Sequence, residues 1–223
     1  MTQTYADVSD INNRMISVYN NMFLAVVTSL VVSMLVASSS TLMALLFGTW
    51  LKWVVIFSPL VMIFAMTWVM QKATYGEARA MLHLFAALMG LSMSGIFAVF
   101  TTASIVSAFF GAAVLFGTMS LWGYFTKKSL ESWGSFLLVG LIAVVVTSIV
   151  NVFLGNSTLA MVVSVVAIIV FLGLTAYDTQ RIRQEVSVLS PDSKAEILGA
   201  LSLYLNFINI FMSLLQLFGN RDD

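Results

Sequence analysis

The sequence predicts an all-α, polytopic membrane protein with seven transmembrane helices. Three observations carry that prediction. The 223 residues are 60% hydrophobic and only 9% charged, where a soluble domain carries about 25% charged residues. The charges punctuate the chain: residues 15–51, 84–126 and 132–177 contain none. The apolar stretches are continuous and near the ~20 residues that cross a bilayer as a helix, rather than alternating as in a membrane barrel strand.

The elements follow in order. Residues 1–17 are polar and mixed in charge, with Asp7, Asp10 and Arg14, and read as a polar tail. The apolar run after them is too long for the core of a signal peptide. The first span is placed near 18–37 and the second near 53–70. Pro59 lies inside the second, where a proline is tolerated if a neighbour satisfies the carbonyl it frees. The uncharged stretch 84–126 has room for two spans, near 82–100 and 103–125, turning at Thr101-Thr102. The stretch 132–177 gives two more, near 136–154 and 159–180, turning at Gly155-Asn156-Ser157-Thr158. The seventh lies near 197–218, leaving residues 219–223 as a short C-terminal tail. Small residues at steps of four (Ala86, Gly90, Ser94, Ala98 in span 3; Ala103, Ser107, Gly111 in span 4) predict close helix packing.

Orientation follows from the basic residues. A cytoplasmic N-terminus puts Arg14, Lys72, Arg79, Lys127, Lys128, Arg181, Arg183 and Lys194 inside, against Lys52 and Arg221 outside. The C-terminus is then outside if the seventh segment crosses. The alternative is a re-entrant seventh segment with the C-terminus inside.

Composition excludes several functions. Ten basic and ten acidic residues balance, and no basic stripe with interleaved aromatics suggests nucleic acid. Cysteine is absent and histidine occurs once, at His83, so thiolate and histidine-rich metal sites are excluded. No glycine-rich phosphate loop is present. No cofactor is implied.

Chemistry concentrates at the end of the chain. Ser202, Asn206, Asn209, Ser213 and Gln216 recur at steps of 4, 3, 4 and 3. That spacing puts them on one helical face, which in hydrocarbon must meet protein or water. Asp178 is the one acid continuous with an apolar span, and a charge at membrane depth costs roughly 2.5–3.5 kcal/mol at the bilayer centre. Arg181, three residues on, shares its face. Asp178 is read either as a gate or ion site or as an interfacial salt bridge that ends the span. Asn206 and Asn209 are read either as the lining of a cavity near Asp178 or as interhelical hydrogen-bonding glue worth ~1 kcal/mol each. His83 is read as interfacial. The Tyr177-Asp178 pair does not make an intramembrane aspartyl protease, because span 7 has no acid to share the proton. A serine–histidine hydrolase lacks a glycine-flanked nucleophile. The chain is read as a non-enzyme.

The segment Gly173-Leu174-Thr175-Ala176-Tyr177-Asp178-Thr179-Gln180, the run Ile197 to Phe211 with its Tyr204-Leu205-Asn206-Phe207-Ile208-Asn209, and Phe218-Gly219 closely resemble the C-terminal signature of the Bax inhibitor-1 family. Ala103-Ser104-Ile105, Met119-Ser120-Leu121-Trp122-Gly123-Tyr124 and Thr126-Lys127-Lys128 resemble its bacterial branch. The resemblance implies three antiparallel helix pairs around a central seventh helix, in a bacterial inner membrane. It implies a pH-sensitive calcium leak gated by two aspartates, Ca²⁺ being the transported ion. It also implies a rival role, an interaction protein that modulates a membrane-anchored ATP-dependent protease or a stress response. Carried over, the helix-6 aspartate is Asp178. The helix-7 aspartate falls at Asn206, and a neutral amide cannot be half of a two-carboxylate proton switch. The family's basic partner near the end of helix 2 finds only Lys72 here. The expectation is a leak that varies little with pH between about 6 and 8.

Overall fold

The computed structural model describes residues 8–70, 72–188 and 193–221. They form α1 (Val8–Ala37), α2 (Ser40–Phe47), α3 (Leu51–Val69), α4 (Tyr75–Met93) continued by a 3₁₀ turn (Ser94–Ala98), α5 (Thr102–Phe125), α6 (Glu131–Leu154), α7 (Ser157–Val188) and α8 (Lys194–Phe218). No strand is found among the described residues. All but α2 are long and apolar enough to cross a membrane, so the seven-span, all-α prediction holds. The turns also fall as predicted. Thr101 caps α5 by accepting from the Ser104 amide, and Gly155 closes α6 in the left-handed conformation at φ 62°, where a side chain would be strained.

Several helices run further than the predicted spans: α4 begins at Tyr75 rather than near 82, α6 at Glu131 rather than near 136, and α7 continues to Val188 rather than ending near 180. Helix α1 begins at Val8, ten residues before the predicted span, because its polar first turns have protein partners of their own. The eight-residue α2 sits in what reads as a linker; Ser39 caps it through the Leu42 amide, a local bond that nucleates a turn.

The chain folds as two compact units, one of residues up to Phe100 with Val186–Tyr204, the other of Thr101–Glu185 with Leu205–Arg221. In the first, α1 packs on α4. Gly90 is the contact: a Cβ there would lie 2.4 Å from the Ser29 carbonyl oxygen. Ser29 Oγ donates to the Ala86 carbonyl at 2.7 Å and lies 2.6 Å from the Tyr204 hydroxyl. The small stripe of α4 is thus buried at Ala86, Gly90 and Ser94, while Ala98 is exposed. His83 Nδ1 sits 3.1 Å from Thr28 Oγ1. In α3, Pro59 frees the Val55 carbonyl four residues back, and Ser58 Oγ takes it at 3.0 Å. The Thr74–Glu77 capping box starts α4.

The first unit also holds a buried ion pair with no sequence signal. Arg14 Nε meets Glu196 Oε1 at 2.9 Å with side chains 6% and 2% exposed. The same guanidinium reaches the Val186 carbonyl and, at 3.2 Å, Ser193 Oγ. This pair carries the polar start of α1.

In the second unit α5, α6 and α7 pack through glycines. A Cβ at Gly123 would lie 2.4 Å from the Ala176 carbonyl oxygen; one at Gly134 would strike the Tyr177 ring at 2.8 Å. Phe109, Phe116, Phe207 and Phe211 form an edge-to-face cluster. The small stripe of α5 departs from expectation. Its buried face is Ile105, Ala108, Ala112, Phe116, Ser120 and Gly123, whereas Ala103 and Ser107 are exposed, and a Cβ at Gly111 would lie 3.4 Å from the Leu214 side chain.

Candidate functional site

Asp178 belongs to the last third of α7 and is 7% exposed. Two elements place it. The Gly123–Ala176 approach fixes α7 against α5, and Ser120 Oγ meets Thr179 Oγ1 there at 3.1 Å. Gln180 accepts from the Leu130 amide at 2.8 Å and donates to the Lys128 carbonyl at 2.9 Å, so the α5–α6 connection is tied to the turn of α7 that carries the acid.

Asn206 comes from α8, the most buried span: 72% of its most apolar window is buried, against 39% or less for the other six. Its Nδ2 donates to Asp178 Oδ2 at 2.8 Å, and Asn206 is itself 4% exposed. The other carboxylate oxygen, Oδ1, faces Arg181 Nη2 at 3.2 Å. Arg181 is shared. Its Nε lies 3.6 Å from Glu185 Oε1 and its guanidinium sits over the Tyr177 ring, 5.8 Å from the centroid. Its side chain is 42% exposed. The acid is therefore held by a neutral donor on its buried side and a partly exposed cation on the other.

The polar stripe of α8 divides. Ser213 is buried, and Gln216 Oε1 accepts from Ser164 Oγ on α7 at 3.1 Å. Asn209 does not join Asp178: its Nδ2 donates to the Leu205 carbonyl of its own helix at 2.8 Å, a local bond that competes with interhelical ones. Lys72 lies in the first unit, exposed in the α3–α4 connection. Glu185 is the second anchor of Arg181, a role signalled in the sequence only by its i+4 spacing. Among the described residues no group of three or more His, Cys, Asp or Glu side chains forms a metal cage.

The arrangement presents one carboxylate, oriented by an amide and covered by a cation that has an alternative anchor. An amide donates to a carboxylate but cannot share its proton.

Comparison with known proteins agrees with this signature. The sequence pattern of the family described as "Inhibitor of apoptosis-promoting Bax1" matches residues 11–223. The inner membrane protein YbhL of Escherichia coli K12 is 39% identical over 213 residues, 93% of this chain and 91% of its own. A Rickettsia prowazekii protein is 36% identical over 94% of this chain and 90% of its own. A Borreliella burgdorferi protein is 31% identical over 99% and 97%.

Proposed function

This chain belongs to the Bax inhibitor-1 family and is a multi-pass inner-membrane protein, and from that premise we propose that it is a cation leak, Ca²⁺ included, with Asp178 as its ion-attracting side chain. The observation that carries the reading is the sharing of Arg181 between Asp178 and Glu185. An ionised acid at membrane depth needs a partner. Arg181 supplies one, and Glu185 lies one helical turn beyond it. Moving the guanidinium fully onto Glu185 keeps the cation paired and leaves a carboxylate oxygen of Asp178 open to a passing ion. Asn206 holds the other oxygen throughout. It keeps the acid aimed, as a positioning residue, without sharing a proton with it. The proposed orientation puts this end of α7 on the cytoplasmic side, with the N-terminus.

The test is calcium entry into dye-loaded liposomes containing the purified chain. Wild type should conduct. Asp178→Asn, with the charge gone and the shape kept, should lower the rate by about tenfold or more, a change of at least ~1.4 kcal/mol in barrier. Wild-type flux no higher than that of empty liposomes would leave a non-transporting interaction role. Undiminished flux in Asp178→Asn would remove the acid from the pathway.

A further inference from the structure

A groove of about 350 Å³ lies in the first unit, lined by Ile63, Met66, Thr67 and Met70 of α3 and its C-terminal end and by Lys194, Leu198 and Leu201 of α8. The α3 residues step 3, 1 and 3, so they form one helical face. The walls are apolar except at one end, where Lys194 Nζ donates to the Met70 carbonyl at 2.9 Å. Lys72, two residues beyond Met70, is exposed.

Both walls are membrane-crossing helices, so the open side of the groove faces lipid or another helix. Charge separates these occupants, because an apolar partner helix offers nothing to an ammonium whereas a phospholipid headgroup does. The ammonium at the mouth, with a second lysine close by in the sequence, complements a phosphate that carries net negative charge. We propose that this groove binds one acyl chain of an anionic phospholipid, its headgroup phosphate held by Lys194 and Lys72. The proposal goes beyond the leak reading and is independent of it.

The test is native mass spectrometry of the full chain in detergent with equimolar phosphatidylglycerol and phosphatidylcholine. One phosphatidylglycerol should be retained in preference to phosphatidylcholine. Lys194→Gln should reduce that preference by about fivefold, with a similar loss for Lys72→Gln, from the roughly 1 kcal/mol that each lysine gives near an anionic surface. Leu198 is 42% exposed, so Leu198→Trp fills the groove from outside the core and should expel the bound lipid while circular dichroism stays unchanged. Equal retention of the two lipids would overturn the proposal. So would a preference that survives both Lys194→Gln and Leu198→Trp. Should Lys194→Gln not fold, Lys72→Gln and Leu198→Trp decide the same question.

Discussion

Alanine at position 123 should drive α5 away from α7 beneath the candidate site. The added Cβ would lie 2.4 Å from the Ala176 carbonyl oxygen, 2.8 Å from its Cα and 2.9 Å from its carbonyl carbon. All three are backbone atoms of a helix, so no side chain can swing aside. Restoring ordinary contact distance requires the helices to part by about 1 Å. Overpacking of this kind costs about 1–3 kcal/mol. The Ser120–Thr179 hydrogen bond, 3.1 Å long and buried one turn away, adds about 1 kcal/mol if it breaks. Alanine returns roughly 0.5–1 kcal/mol through its better helix propensity. The net expectation is a loss of roughly 1–3 kcal/mol, or a fall in midpoint of about 2–12 °C for a chain of this size. Gly117 lies on the same helix with nothing within 4 Å of an added Cβ, so Gly117→Ala should be neutral or slightly stabilising. The assay is thermal unfolding of both variants in one detergent, followed by circular dichroism. Equal midpoints for the two variants, or a Gly123→Ala protein as stable as wild type, would refute the close-approach argument.

Glu196→Gln strips the partner from a buried arginine and should cost about 3–5 kcal/mol, read as a lower denaturation midpoint; the double change Arg14→Leu with Glu196→Leu should recover most of it. The chain has no cysteine, so single cysteines report cleanly: one at Asn206, 4% exposed, should react with a lipid-phase maleimide at least tenfold more slowly than one at Val152, 80% exposed, and equal rates would contradict the buried position of Asn206. A reporter active only in the cytoplasm, fused after Asn220, should stay silent, as the eight-to-two split of basic residues predicts; strong activity there would reverse the proposed C-terminal location.

The spans were legible because hydrocarbon tolerates only helices that satisfy their own backbone, so apolar runs and charges mark them directly. The start of α1 was not. Asp10 and Arg14 read as a solvated tail, yet Arg14 is buried against Glu196, 182 positions away in the chain, and no local pattern encodes a pair so distant. The α8 stripe correctly marked Asn206 as facing protein, and the acid it meets was the one Asp singled out at the end of span 6. Spacing alone could not tell Asn206 from Asn209. Both fall on the same face, and only the approach of α7 decides which amide finds Asp178 and which turns back onto its own carbonyl. The small stripes behaved differently from one another for the same reason. In α4 a partner backbone, at Ser29, arrives over Gly90; in α5 the corresponding face stays largely open, and Gly123, outside that stripe, makes the close contact.

In the proposed leak, an amide beside a single acid leaves no second carboxylate to share a proton, so flux should not depend on pH. Calcium flux into liposomes at about pH 6, 7 and 8, measured for wild type and for Asn206→Asp, tests it most directly. The substitution would set two carboxylates at hydrogen-bonding distance, where like charges compete and a proton is shared. Wild-type flux should be nearly flat across that range, and Asn206→Asp should respond steeply to pH. A steep response already present in wild type, or a flat one in Asn206→Asp, would contradict that expectation.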